Sequence, residues 1–155
     1  MKIKTNLIEA HIIKKEEQGI KTLIMKRASN QKYPNIWQMV TGKISENENA
    51  YEAAIREIKE ETNLEIDKLF IVPNVNYFYN NFDDSITIIP VFAAIITSDK
   101  NLKISHEHSE YKWCSVEEAK KKFAWQGQKK SIDIIEDYFI GKNMNLFFEE
   151  IDFNK

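Results

Sequence analysis

Three glutamates, Glu57, Glu60 and Glu61, stand at i, i+3 and i+4 in the stretch GKISENENAYEAAIREIKEETNL, which runs from Gly42 to Leu64. At about 100° per residue, that spacing sends all three carboxylates out of one side of a helix. Like charges stacked this way repel and destabilise a bare helix. A divalent cation held by hard carboxylate oxygens makes the same arrangement favourable, so the face is a candidate metal site. The competing reading is a solvated helix face on which Arg56 and Lys59 are ordinary surface charges, the usual fate of a charge run.

The helix that must carry these acids is legible around them. Tyr51, Ile55, Ile58 and Thr62 follow i, i+4, i+7, i+11 spacing and form a neighbouring stripe suited to packing on a sheet. Ala50, Ala53 and Ala54 lie near the acidic face, where small side chains are expected to leave room for a metal and a ligand. Asn49 with Glu52 three residues on resembles a capping box, and Asn63 suits the left-handed position after the helix. The spacing therefore predicts a helix from Ala50 to Thr62.

Elsewhere the pattern is that of an α/β chain. Ile3 to Lys14 and Thr22 to Arg27 read as strands around a turn at Glu16-Glu17-Gln18-Gly19, and Ile36 to Val40 leads into Gly42. Phe70 to Tyr79 and Ile86 to Thr97 read as a hairpin, with Pro90 arguing for an edge strand or a bulge in its second arm. A short strand from Tyr111 to Cys114 precedes a helix capped by Ser115, with Glu118 completing a Ser-x-x-Glu box. A last helix is expected near Lys129 to Ile140, ending at Gly141. Residues 142–155 mix aromatics with acids and fit either a docked tail or a partner contact.

Composition bounds the rest. The 155 residues, 43% of them apolar, suit one domain spanning 1–155 with a substantial core. Cys114 is the only cysteine, no long apolar span or signal-peptide-like start is present, and a reducing cytoplasm is the expected setting. Within Tyr-Lys-Trp-Cys-Ser, Cys114 reads as a small buried hydrophobe rather than a nucleophile. Net charge is −2 with both signs interspersed, so neither long nucleic acid nor a membrane is an expected partner.

The full spacing, Gly42, five residues, Glu48, seven residues, Arg56-Glu57, Ile58, one residue, Glu60-Glu61, one residue, Asn63 and Leu64, resembles the Nudix box, with asparagine where the family has glycine. Eight matched positions would arise by chance in about one chain in a million at average composition. Ile36-Trp37-Gln38-Met39-Val40-Thr41-Gly42 and Glu107-His108-Ser109-Glu110-Tyr111-Lys112-Trp113 look like the flanking signatures of the dihydroneopterin triphosphate pyrophosphatase branch, also described as dATP pyrophosphohydrolases. The resemblance implies a Nudix fold, a mixed β-sheet sandwiched between α-helices. It also implies a Mg²⁺ cofactor, with Mn²⁺ as a substitute, held by Glu57, Glu60 and Glu61 near the Gly42 carbonyl, with Glu57 as a catalytic residue. Glu48 and Arg56 would pair to brace the loop against the helix.

One further acid from outside the box completes such sites or acts as base. Glu107 is the expected one and Glu110 the alternative, while His108 either orients a phosphate or is an ordinary loop histidine. Lys4, Arg27 and Thr41 are candidates to face phosphates, against a reading as solvated or structural polar groups. Trp37, Tyr79 and Trp125 are candidate stacking partners for a base or pterin ring. The core is the expected place for the first two, and Trp125 is the preferred one. The implied reaction cleaves a nucleoside or pterin triphosphate, such as dihydroneopterin triphosphate or dATP, into a monophosphate and pyrophosphate. Its alternatives are diadenosine polyphosphate hydrolysis and a Nudix module that binds a nucleotide without cleaving it. Monomer and homodimer are both compatible with the sequence.

Overall fold

The computed structural model describes residues 1–141 and 145–154. Nine strands form one mixed sheet: β1 (Lys2–Lys4), β2 (Leu7–Glu16), β3 (Gly19–Arg27), β4 (Trp37–Gln38), β5 (Val40–Lys43), β6 (Lys68–Asn80), β7 (Ser85–Ile95), β8 (His108–Cys114) and β9 (Glu149–Ile151). The central path runs β4-β3-β2-β7-β6-β9, with β8 on β3, β5 on β2 and β1 on β7. β2 and β1 run parallel to β7, and the other pairs are antiparallel. Helix α1 (Ala50–Thr62) covers one face, while α2 (Val116–Lys122) and α3 (Gln126–Phe139) cover the other.

Strand alternation divides the core in two. Ile8, Ala10 and Ile12 of β2 pack with Ala53, Ala54 and Ile58 of α1, whereas Ile13 joins Val91, Ala93, Ile132 and Ile135 on the α3 side. The α/β/α sandwich expected from the sequence is therefore present, and α1 has the bounds its spacing predicts. Ala53 and Ala54 are 0% exposed, so these small side chains let the helix approach the sheet and lie in the core rather than lining open space beside the acids. That replaces the expectation of room for a ligand there.

Other elements differ from the sequence reading for identifiable reasons. The first strand is interrupted at Thr5-Asn6, where β1 leaves β2 and joins the far end of β7. Pro90 lies in an interior strand rather than at an edge. It falls between the β7 residues paired with β1 and those paired with β2, where its missing N–H costs no ladder bond, and the register shift sits opposite it on β6, between Ile71 and Val75. Ser115 accepts from the Glu118 N–H at 3.2 Å, but the Glu118 carboxylate goes to Lys112, so only half of the box forms. α3 begins at Gln126, three residues before the sequence placed it, with Trp125 as its N-terminal flank. Of the final segment, Phe148 is buried in the α3-side core and β9 pairs with β6, which favours the docked tail; Lys142, Asn143, Met144 and Lys155 lie outside the described residues.

Candidate active site

The loop from β5 into α1 is closed by Arg56. Its Nε donates to Glu48 Oε2 at 2.7 Å, its Nη2 to Glu48 Oε1 at 2.9 Å and to the Lys43 carbonyl at 2.8 Å, and its Nη1 to Glu57 Oε1 at 2.8 Å and Glu60 Oε2 at 3.2 Å. Glu48 also accepts from the Ser45 N–H at 2.9 Å. These bonds, that to Arg56 first, hold the Glu48 carboxyl down at about 2. One planar guanidinium thus fixes the loop and draws two of the three clustered acids toward it.

Gly42 is required for steric reasons. A Cβ there would run into the Glu57 side chain, so the carboxylate lies directly over the strand backbone. At the other end of α1, Asn63 adopts φ 60°, ψ 18°, the left-handed conformation expected of it, and its N–H donates to the Lys59 carbonyl at 2.9 Å. Its side-chain amide donates to the Asn101 carbonyl at 3.0 Å. Lys103 and Ser105 donate backbone N–H bonds to the carbonyls of Thr62 (2.9 Å) and Glu61 (3.1 Å). The last turn of the helix is therefore stapled to the loop that carries Glu107 and leads into His108.

Glu61 is the most unusual group in this cluster. It is 2% exposed, and its Oε2 makes no hydrogen bond within the protein. Burial first, then the charges of Glu57 and Glu107, raise its pKa well above the usual carboxylate range, and Arg27 opposes them. Burial likewise raises the Glu57 pKa, against the pull of Arg56. His108 Nε2 lies 3.7 Å from Glu61 Oε1 and 3.5 Å from the Gln38 amide nitrogen, and burial holds the imidazole down at about 4. Histidine at that pKa is neutral at pH 7 and does not cancel the glutamate charge.

The remaining sequence candidates separate. Arg27 ends β3 with its Nε on the Lys32 carbonyl at 2.6 Å, and its charge reaches both Glu61 and His108. Glu107 acts on Glu61, whereas Glu110 points to Lys26 at 3.5 Å. Thr41 is half-buried, 3.5 Å from the Gln38 amide. The structure does not bring Lys4 to the glutamates, because Asp83 of the β6–β7 turn binds its ammonium. Trp37 packs against the α3-side core with Lys122 over its ring, as the core reading expects. Tyr79 is 57% exposed and does not join the core. Trp125, 43% exposed, meets Tyr33 edge-on at 5.6 Å, and Tyr33 holds φ 53° in the loop after β3. Cys114 is buried with its thiol pushed up to about 11, which leaves it inert.

Sequence reasoning missed a polar cluster on the α3 side. Glu9, 3% exposed, accepts from the amides of Asn76 and Gln128, each at 2.9 Å, and Asn74 donates to Ser131 at 2.7 Å. Its signal in the sequence is faint: one acid in the apolar run Leu-Ile-Glu-Ala-His-Ile-Ile.

Among the described residues, no three His, Cys, Asp or Glu side chains are already gathered closely enough to clasp an ion. The donor set nevertheless fits a hard divalent cation. All its members are carboxylate oxygens, one of them buried without a partner, and glycine keeps the strand backbone open beside Glu57. Glu60, whose side chain is 59% exposed, is held only by Arg56 at 3.2 Å and would join such a set by turning away from it.

Comparison with known proteins agrees with this geometry. The NUDIX domain model matches residues 8–134. The chain is 30% identical over 117 residues to an 8-oxo-dGTP diphosphatase of Buchnera aphidicola, covering 75% of this chain and 81% of that one. It is 31% identical over 88 residues to the asymmetrical bis(5'-nucleosyl)-tetraphosphatase of Caenorhabditis elegans, covering 56% of this chain and 63% of that protein. Among solved structures, the dihydroneopterin triphosphate pyrophosphohydrolase of E. coli superposes with a TM-score of 0.71 at 20% identity, covering 90% of this chain and 99% of that one. A glycine pressed against Glu57, an arginine bracing the loop onto the helix, and a domain match spanning most of the sequence together establish that this chain belongs to the Nudix family.

Proposed function

We propose that the protein is a Mg²⁺-dependent pyrophosphohydrolase that cleaves a nucleoside or pterin triphosphate to a monophosphate and pyrophosphate. Glu57, Glu60 and Glu61 would hold the cation, with the Gly42 carbonyl nearby, and Mn²⁺ would be able to replace Mg²⁺. Bound there, the ion supplies neutralisation of the phosphoanhydride oxygens and activation of water. The protein groups do the remainder. Arg56 and Glu48 keep the loop against α1, Arg27 presents positive charge toward the phosphates, and Glu107 takes up the proton from the attacking water. Thr41 lies near Gln38, and Trp125, half-exposed and set edge-on to Tyr33, offers its own ring to stack on that of the substrate.

The observation that most supports this reading is the Glu61 carboxylate, buried with one oxygen unpartnered and within the fields of Glu57, Glu107 and Arg27. A buried anion without a partner is costly, and a cation removes that cost. Cleavage of a dinucleoside polyphosphate is the second reading, favoured by the 31% identity to the Caenorhabditis elegans tetraphosphatase. Turnover with dihydroneopterin triphosphate, each dNTP, diadenosine tetraphosphate and ADP-ribose decides between them. Preference for a triphosphate with release of pyrophosphate is the expected result; preference for diadenosine tetraphosphate selects the second reading, and binding without cleavage selects a sensor module.

A further inference from the structure

The polar cluster around Glu9 is joined to the acidic site by a line of side-chain neighbours. Pairing sets Thr41 of β5 beside Glu9 of β2, and Glu9 beside Val91 of β7, whose side chain belongs to the α3-side core. Thr41 precedes Gly42 and lies 3.5 Å from the Gln38 amide, which lies 3.5 Å from His108, the neighbour of Glu61. Thr41, Gln38 and His108 thus connect Glu9 to Glu61. A ligand with a ring at one end and a phosphate chain at the other suits that line.

The cluster is rich in acceptors that the protein does not fill. Glu9 Oε1 takes one hydrogen bond from the Asn76 amide and Oε2 one from the Gln128 amide, which leaves each oxygen a lone pair. Burial raises the Glu9 pKa, and those two amides, not a cation, oppose the rise. Because the Gln128 nitrogen must face Glu9, its Oε1 is turned away, buried and without a partner. A buried acceptor left unmade is unfavourable, and native proteins keep few. The first turn of α3 presses directly on the cluster, since a Cβ on Gly127 would run into the Asn76 carboxamide. Beside it stands the half-exposed Trp125, whose carbonyl accepts from the Gln128 N–H at 3.2 Å.

On the basis of the triphosphate reading, we propose that Glu9 and Gln128 determine ring specificity by accepting the N–H groups of a 2-amino-4-oxopyrimidine ring, the ring that guanine and pterin share. That ring presents its ring N–H and its 2-amino N–H side by side, as the free lone pairs require. Adenine and cytosine set an amino donor beside a bare ring nitrogen, and thymine sets one N–H between two carbonyls. Each of these would bring a lone pair against the carboxylate. Gln128 Oε1 is closed to solvent, so the ring enters as side chains at the start of α3 part, and Trp125 then stacks on it.

Pyrophosphate release from dGTP, dITP, dATP and dihydroneopterin triphosphate tests the assignment, alongside titration calorimetry of dGMP, dIMP and dAMP. dITP differs from dGTP only in lacking the 2-amino group. Wild-type kcat/KM is expected to be at least about 10-fold higher for dGTP than for dITP and at least about 100-fold higher than for dATP. In Glu9→Gln the advantage of dGTP over dITP should fall below about 3-fold, mainly through KM, with circular dichroism unchanged. A merely structural Glu9 would slow both substrates alike, and that result overturns the assignment. So does a dGTP advantage that survives in both Glu9→Gln and Gln128→Leu, since other groups then read the ring. Equal wild-type turnover of dGTP and dITP overturns it too, while the hydrolase reading stands. If no triphosphate is cleaved, tighter binding of dGMP than of dIMP and dAMP still supports it, and equal binding sinks it. Within a positive result, the faster of dihydroneopterin triphosphate and dGTP names the source of the ring.

Discussion

At the scale of single residues, burial explains what Glu61 does and what its replacement should do. Because burial disfavours its charge, Glu61→Gln keeps the shape of the side chain while removing the desolvated anion. The variant is expected to retain or raise its melting temperature and to lose turnover by several orders of magnitude, a combination that a merely structural glutamate would not give. Glu107→Gln is expected to lower kcat about 10²-fold or more, as removal of a general base commonly does. Glu110→Gln should be nearly silent, because Glu110 faces Lys26. Reversal of that ranking in steady-state kinetics would transfer the role to Glu110.

His11 is a second residue-scale case. It is 0% exposed, neither ring nitrogen has a partner, and burial lowers its pKa from 6.5 to about 3. The unfolded chain binds a proton below pH 6.5 that the folded chain refuses until about pH 3. Stability from this residue is therefore complete above pH 6.5 and falls between these values by about 1.4 kcal/mol per pH unit. Urea unfolding from pH 7 to 4 should show that slope on top of those of the other shifted groups, His108 among them. In His11→Leu it should be reduced by about that amount.

At the scale of elements, α1 works because both of its ends are tied to other parts of the chain. The Asn49 N–H donates to Glu52 Oε2 at 2.8 Å, Arg56 anchors the preceding loop, and Asn63 ends the helix in a left-handed turn while bonding Asn101. Asn63→Ala places a side chain less tolerant of φ 60° there and deletes the bond, so it should cost about 1–2 kcal/mol. Asn63→Gly restores the family residue and keeps the turn, losing only the exposed bond and thus less than about 1 kcal/mol. Since the loop beyond Asn101 carries Glu107, the measurement should pair unfolding with kcat. Equal stability of the two variants would deny the left-handed turn its part.

At the scale of the whole molecule, the site is assembled from β3, β5, α1 and the loop before β8, elements distant in sequence that meet at one end of the sheet. A cation bound to acids that repel one another should hold that assembly together. Mg²⁺ at ~100 times its dissociation constant is expected to add about 2.7 kcal/mol, or roughly 5–10 °C in melting temperature. Calorimetry with and without chelator checks it, and Glu61→Gln should cancel most of the gain. A melting temperature indifferent to Mg²⁺ in the wild type would remove the cation from this face.

What the sequence determined by itself was local and periodic: the span of α1, its caps, the strand-loop-helix order, and the glycine and arginine in register with three acids. Each of these follows from spacing along a helix or from the conformational tolerance of one residue, both readable without knowing what lies nearby. Tertiary structure decided what depends on neighbours. It sent Ala53 and Ala54 to the core because α1 lies close on the sheet, and it gave Lys4 to Asp83 by swinging β1 onto β7. It left Tyr79 in solvent at the end of a long hairpin and joined Glu9 to Asn76 and Gln128 across distant parts of the chain. Periodicity says which side of an element a residue occupies, but only the packing of elements says what it meets there.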